Sequence, residues 1–234
     1  MTGSALNARL LCAAELVRQD ATFADIGTDH AYLPLFLLDS GRISFAYCSD
    51  INEGPLASAR RNAEERGMSD KISFILTDGA AALSGKGISD YAICGMGGEL
   101  IADIISKAPH LKAEGVNLIL QPMSRQAVLR KFLAREGFEI INESYSFDAG
   151  KYYVCLLATF TGICREIDDV TAEIGSETSK FSGNEARRGY IETILRSRQR
   201  AFEGKRLGGV SDIPEEKIIN ALVETLEGLS KEGT

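Results

Sequence analysis

Histidine is scarce in this chain: among 234 residues only His30 and His110 occur. The five cysteines, Cys12, Cys48, Cys94, Cys155 and Cys164, are scattered and include no C-x-x-C pair. These shortages argue against a structural zinc site, and no metal is expected. An odd set of dispersed cysteines reads as reduced thiols, so the expected compartment is the cytoplasm. No stretch approaches the roughly 20 apolar residues of a membrane span. No basic segment followed by an apolar core opens the chain, so neither a secretory signal nor a membrane partner is expected. Internal repeats and low-complexity tracts are also missing. What remains, 44% hydrophobic and 25% charged, is an ordinary globular composition long enough for one α/β domain plus an appendage.

The net charge of −7 argues weakly against a nucleic-acid partner, but the charge is unevenly spread. Residues 180 to 208 hold eight Lys/Arg against three Glu, a local +5 that leaves −12 on the rest. The bland interpretation is a solvated helix face. The sharper one is a footprint for a polyanion, with Arg187, Arg188, Arg196 and Arg200 as its candidate contacts. Arg198 sits at a core-facing position and is expected to be structural.

Apolar spacing at Leu6, Leu10, Ala13, Ala14 and Val17 predicts an N-terminal amphipathic helix. Strands are then predicted at Thr22–Ile26, Ser44–Ser49, Ile72–Thr77, Tyr91–Cys94 and Val116–Gln121. Helices are predicted at Leu33–Asp39, Pro55–Arg66, Leu100–Ala108 and Arg125–Glu136. Such alternation implies a mostly parallel sheet covered on both faces. "FEIINESYSFDAGKYYVCLLATF" reads as an antiparallel hairpin closing that sheet. From about Gly162 strand signals vanish, and two helical periodicities flank "GGVSDIP", where Ser211 or Asp212 is a candidate cap. The expected division is therefore an α/β domain over 1–161 and a helical hairpin over 162–234.

In an open parallel sheet, ligands bind beyond the carboxyl ends of the strands. Those positions here carry Asp25, Gly27, Thr28, Asp29 and His30; Asp50; Asp78 and Gly79; and "CGMGG", which begins at Cys94 and Gly95. An acid ending the second strand suits the two hydroxyls of a ribose, in NAD or in S-adenosylmethionine alike. The first turn separates the two. A pyrophosphate there would be repelled by Asp25 and Asp29, whereas an ammonium and a sulfonium would be attracted. Asp78 suits the exocyclic amine of adenine. S-adenosylmethionine is the expected cofactor.

The blocks "ADIGTDHAYLPLFLL", "SDINEGPLASARRNAEERG", "TDGAAAL", "CGMGGELIADII" and "LILQPMSRQAVLRKFLAREGFEI" resemble, in order and spacing, the bacterial tRNA adenine-N1 methyltransferases that modify adenine 22. The similarity runs from about Leu6 to Phe160. It implies a class I (Rossmann-like) methyltransferase fold followed by a helical, coiled-coil-like C-terminal domain that engages tRNA. Carried over by motif, the cofactor site comprises Asp25, Gly27, Thr28, Asp29, His30, Asp50, Asp78, Gly79, Cys94 and Gly95. The chain departs from the pattern after Lys151, where Tyr152, Tyr153 and Val154 replace a usual Tyr-Glu pair, and again after "AEIG".

Adenine N1 is unprotonated at neutral pH, so its methylation needs no strong base. The product is cationic, and catalysis should come from alignment and from acceptors for the developing charge. N1 lies on the Watson–Crick edge, so the base must be unpaired or flipped out. Asp29 as an electrostatic acceptor and His30 as a positioning group are the candidate catalytic residues. Met96, Gly97, Gly98, Gln121 and the loop "QPMS" are candidates for the face that receives the base. A monomer is expected. A non-catalytic S-adenosylmethionine- or RNA-binding module and an NAD(P)-binding oxidoreductase are compatible with the same fold class.

Overall fold

The computed structural model describes residues 6–176, 179–207 and 213–231. Asn7 starts the first helix, α1 (Ala8–Leu16), its Oδ1 accepting from the Leu10 N–H at 2.9 Å. Then follow β1 (Phe23–Ile26), α2 (Tyr32–Asp39), β2 (Ala46–Asp50), α3 (Glu53–Glu65), β3 (Ile72–Leu76), β4 (Asp90–Gly97), α4 (Gly98–Ser106), β5 (Asn117–Ser124) and α5 (Gln126–Arg135). The hairpin is β6 (Phe138–Asp148) with β7 (Lys151–Phe160). Last come α6 (Asp169–Ile174), β8 (Lys180–Ser182), α7 (Asn184–Leu207) and α8 (Ile213–Lys231).

The eight strands form one sheet in the order β3-β2-β1-β4-β5-β7-β6-β8. β7 runs antiparallel to both neighbours, and every other pairing is parallel. One face is covered by α1, α2 and α3 through Ala13, Val17, Leu35, Leu37 and Ala59. On the other, Ile101, Ile105, Leu129 and Leu133 pack in one cluster with Ile191 and Leu222 of α7 and α8. The sheet is thus the expected Rossmann-like layer with helices on both faces.

Three details differ from the sequence expectation. "QPMS" is the end of β5 rather than a loop, because Pro122 and Ser124 pair with a bulged extension of β4 between Cys94 and Gly97. Strand structure does not stop at Gly162: β8 adds to the outer edge of β6, registering Asn142 with Lys180 and Ser144 with Ser182. Its three residues are too few to show a period. α6 is similarly short, started by Asp168, whose Oδ1 accepts from the Thr171 N–H at 2.7 Å. The expected boundary at 161/162 marks a change of element type, while sheet and core continue across it. α7 and α8 pack side by side, with Arg198 as the expected structural member: its Nη1 lies 2.8 Å from Glu215 and its Nη2 bonds Glu173. The candidate caps Ser211 and Asp212 lie outside the described residues. Among the described residues no helix is long and apolar enough to cross a membrane.

The chain beyond the hairpin is tied back by a buried ion pair. Arg130 on α5 and Glu143 on β6 are 1% and 0% exposed, joined at 2.7 Å and 3.1 Å. The remaining Arg130 nitrogen donates to the carbonyls of Ala172 and Glu173 on α6, each at 3.0 Å. Tyr145 donates to the same carboxylate at 2.7 Å. Burial alone would lower the Arg130 pKa, but the Glu143 carboxylate outweighs it, so the guanidinium stays charged. Removing one member of such a pair strands the other in low dielectric. Arg130→Ala is therefore expected to cost about 3–5 kcal/mol of unfolding free energy in urea titration. A loss under about 1 kcal/mol would show that the pair does not anchor α6.

Candidate active site

The carboxyl ends of β1, β2 and β4 frame a cavity of about 440 Å³. Its floor is the turn after β1. Gly27 takes φ +73°, a left-handed backbone that favours glycine, and a Cβ there would displace the flexible Met96 methyl, 2.0 Å away. The Gly27 and Thr28 N–H groups both donate to the Ser49 carbonyl, at 2.8 and 2.9 Å, which pins the turn to β2. Thr28 is fully buried beneath it and donates its hydroxyl to Asp25 at 2.5 Å. His30 and Ala31 also adopt left-handed backbone, at φ 65° and 56°. Asn62 of α3 supports that pair by donating to the His30 carbonyl at 2.8 Å. Two consecutive non-glycine residues in this region store strain, as functional turns often do.

Three carboxylates line the cavity: Asp25, Asp29 and Asp50. Asp25 is 7% exposed. Burial pushes its pKa up to about 7, against the Thr28 hydrogen bond, and the nearby Asp50 raises it further. Asp50 turns one oxygen to the Asn52 N–H at 2.7 Å. Asp29 does not cap α2, whose start at Ala31 has no side-chain cap. It is instead largely exposed, 3.2 Å from the His30 Nε2. The His30 ring stacks on Tyr32, with centroids 5.3 Å apart and planes 20° from parallel.

Helix α1 supplies the opposite wall through Asn7, Arg9 and Leu10. Arg9 is the one cation among the lining residues, and its Nη1 donates to the Gln121 Oε1 at 2.6 Å. The same oxygen accepts from the Gly95 N–H at 3.1 Å. Gln121 is fully buried, so this expected base-facing residue instead holds Arg9 and the β4 bulge in place. Gly98 is likewise explained from within: a Cβ there would meet the Arg125 carbonyl at 2.4 Å. Gly97 caps α4 beside Ser124. Met96, Cys94 and Gly95 do line the cavity. Burial raises the Cys94 pKa, so its thiol is protonated and no nucleophile. Asp78 and Gly79 follow β3 and fall outside the lining residues. Among the described residues no three potential metal ligands cluster.

A methyltransferase-domain family model matches residues 6–156. The tRNA (adenine(22)-N(1))-methyltransferase of Bacillus subtilis strain 168 is 34% identical over 181 residues, 77% of this chain and 76% of that one. The chain belongs to the tRNA adenine-N1 methyltransferase family. A Streptococcus pneumoniae protein solved with S-adenosyl-L-methionine superposes with a TM-score of 0.79 at 30% identity, covering 95% of this chain and 100% of that one. The M. capricolum TrmK, solved with S-adenosyl-homocysteine, superposes at 0.75 with 27% identity over 95% and 98%.

In this methyltransferase the expected basic residues lie on α7, away from the cavity lining. Arg188 and Arg196 share Glu192, at 3.2 and 3.1 Å. Arg187 lies 3.5 Å over the Phe181 ring, and Arg200 is exposed. Asn7, Arg9, Leu10, Tyr32 and Leu33 are the lining residues that the sequence pattern did not assign to the site. α1 reads only as an amphipathic helix, and the one available signal was a cation beside its apolar stripe.

The acidic floor and single cation generate two expectations for this enzyme. Arg9→Ala should weaken S-adenosylmethionine binding by about tenfold, the scale of one hydrogen bond to a charged group, read by calorimetry. An unchanged dissociation constant would remove Arg9 from the site. Cationic ligands favour ionised Asp25, which is protonated below its pKa of about 7 in the free protein. Affinity should be flat above about pH 8 and fall as pH drops below 7, by up to about tenfold per unit. Asp25→Asn should abolish that slope. A slope that survives the substitution would assign the titration elsewhere.

Proposed function

We propose that the enzyme transfers a methyl group from S-adenosylmethionine to N1 of adenine 22 in tRNA. The observation that carries this reading is the cavity's donor set: three carboxylates and one guanidinium around a glycine turn. A pyrophosphate in that turn would meet Asp25 and Asp29, so no observation favours an NAD(P) enzyme. The same carboxylates suit an ammonium and a sulfonium. Asp50 suits two ribose hydroxyls, Arg9 a carboxylate, and Asp78, beyond β3 and outside the lining, is the candidate for an exocyclic amine. When bound, the cofactor supplies an electrophilic methyl group.

The protein's own part is alignment and electrostatics. The Gly27 turn and the Gln121-held bulge keep the cavity walls at fixed separation, which lets the base approach in line. Asp29, exposed at the mouth, faces positive charge as it develops on the base. His30 and Tyr32 form a flat aromatic wall beside it. Met96 and Gly97 border the entry from β4. No side chain is required to remove a proton before attack. Exposed Arg188, Arg196 and Arg200, with Arg187 leaning on Phe181, make α7 the phosphate-binding element, since phosphate contacts supply most sequence-independent affinity. The enzyme is read as a cytoplasmic monomer.

The deciding experiment incubates the protein with methyl-labelled S-adenosylmethionine and unmodified bacterial tRNA, then digests and separates nucleosides. 1-Methyladenosine mapped to position 22 is expected. Label at N6, at carbon or on protein would overturn the assignment.

A further inference from the structure

We propose that Phe147 and Tyr152, at the tip of the β6–β7 hairpin, form a stacking platform for an unpaired nucleobase of the RNA next to the reacting adenine. This rests on the reading that the substrate is RNA. The tip lies on the carboxyl edge, the edge that holds the cavity. β7 is antiparallel to β5, so its start at Lys151 and the end of β6 at Asp148 both lie level with the end of β5. Pairing between β5 and β7 stops at Leu120 with Leu156, and β5 continues only with β4. Beyond that point the hairpin has no strand partner on its β5 side, while α1 and α7 pack against its two faces. In the sheet β7, with Tyr152, is two strand spacings from β4, and β6, with Phe147, is three, about 14 Å.

The aromatic pair is built rather than incidental. Phe147 and Tyr152 are direct cross-strand partners, with ring centroids 4.7 Å apart and planes at 47°. Ala149 and Gly150, at φ 47° and 80°, make the tight two-residue turn that brings them together. Behind Tyr152 stands Gly189 of α7, where a Cβ would come within 2.1 Å of the ring. A glycine in mid-helix costs stability, and here it admits the Tyr152 ring. Tyr152 is thus backed by α7, while Phe147 is 53% exposed on the open side.

Phe147 thus leaves one aromatic face of the pair open to a flat partner. The charged neighbours are mixed: at the turn exposed Lys151 is the cross-strand partner of Asp148, and on α7 exposed Arg188, next to Gly189, pairs with Glu192, which leaves two cations at the rim of the pair. Aromatic faces flanked by cations suit unpaired nucleotides, whose bases stack while their phosphates meet the charges. The tip shares the carboxyl edge with the cavity and touches α7 at Gly189, next to Arg188, so an RNA that contacts both the cavity and this part of α7 would meet it.

The protein contains no tryptophan, which makes Phe147→Trp a single fluorescent reporter at the tip. Its emission should be quenched by saturating tRNA, and not by a blunt RNA duplex of equal length. Phe147→Leu keeps apolar bulk but not the π face. It should raise the KM for tRNA by about tenfold, with kcat, the S-adenosylmethionine dissociation constant and the melting temperature unchanged. Unquenched emission at saturation, or a Phe147→Leu KM within about twofold of the parent, would overturn the platform. So would a change of self-association in sedimentation with KM unaltered, which would assign the pair to a second copy of this chain. The quenching arm needs no turnover. A parent enzyme that binds tRNA but yields no 1-methyladenosine would defeat the reaction assigned above and leave the platform tested on its own.

Discussion

Desolvation of the Asp25 carboxylate is the constraint around which the site is built. Two other carboxylates are at least as deeply buried, and each has a guanidinium of its own. Asp90 receives Arg18 at 2.5 and 2.7 Å, and Glu143 receives Arg130 at 2.7 Å. Asp25 has only the Thr28 hydroxyl and backbone geometry around it. Burial is the main cause of its raised pKa, and no neighbouring cation offsets it. Among the described residues the other two buried acids are ion-paired, and of the three Asp25 alone has no salt bridge.

The wall facing that carboxylate depends on contacts between distant parts of the chain. α1 is fastened at its end by Arg18, which binds Asp90 and the carbonyls of Ser89 and Gly115. It is fastened near its start by Arg9 on Gln121. The two fastenings lie at opposite ends of the strands, Arg18 at the amino end of β4 and Arg9 at the carboxyl end of β5, so the helix runs along the sheet face and brings Arg9 to the cavity that the three acids line. Gln121 serves both this wall and the Gly95 backbone. One buried amide thereby couples the helix to the bulged strand it faces.

The C-terminal helices are an extension of the same body. β8 covers the outer edge of β6, which would otherwise present unpaired backbone. Ile191, Ile218 and Leu222 join the core cluster that contains Leu129 and Leu133. β8 and the shared core thus join α7 to the sheet that carries the cavity.

Much of this architecture was legible in the residues themselves. Apolar runs ending in Asp25, Asp50 and Asp78 locate the strand ends, because strand period and turn chemistry are local properties. The β6–β7 hairpin and the α7–α8 pair were legible for the same reason. Gly27 marks the turn, and its neighbours exclude a phosphate. Other features were settled only when the chain closed on itself. Arg9 meets Gln121 across 112 residues, and no local pattern foretells that contact. The extension of β4 and β5 through "QPMS" required a bulge that only the pairing of two strands creates. β8 is too short to carry a period, and exists because β6 offers it an edge. Local propensity set where the acids stand; long-range packing decided which of them is left without a partner.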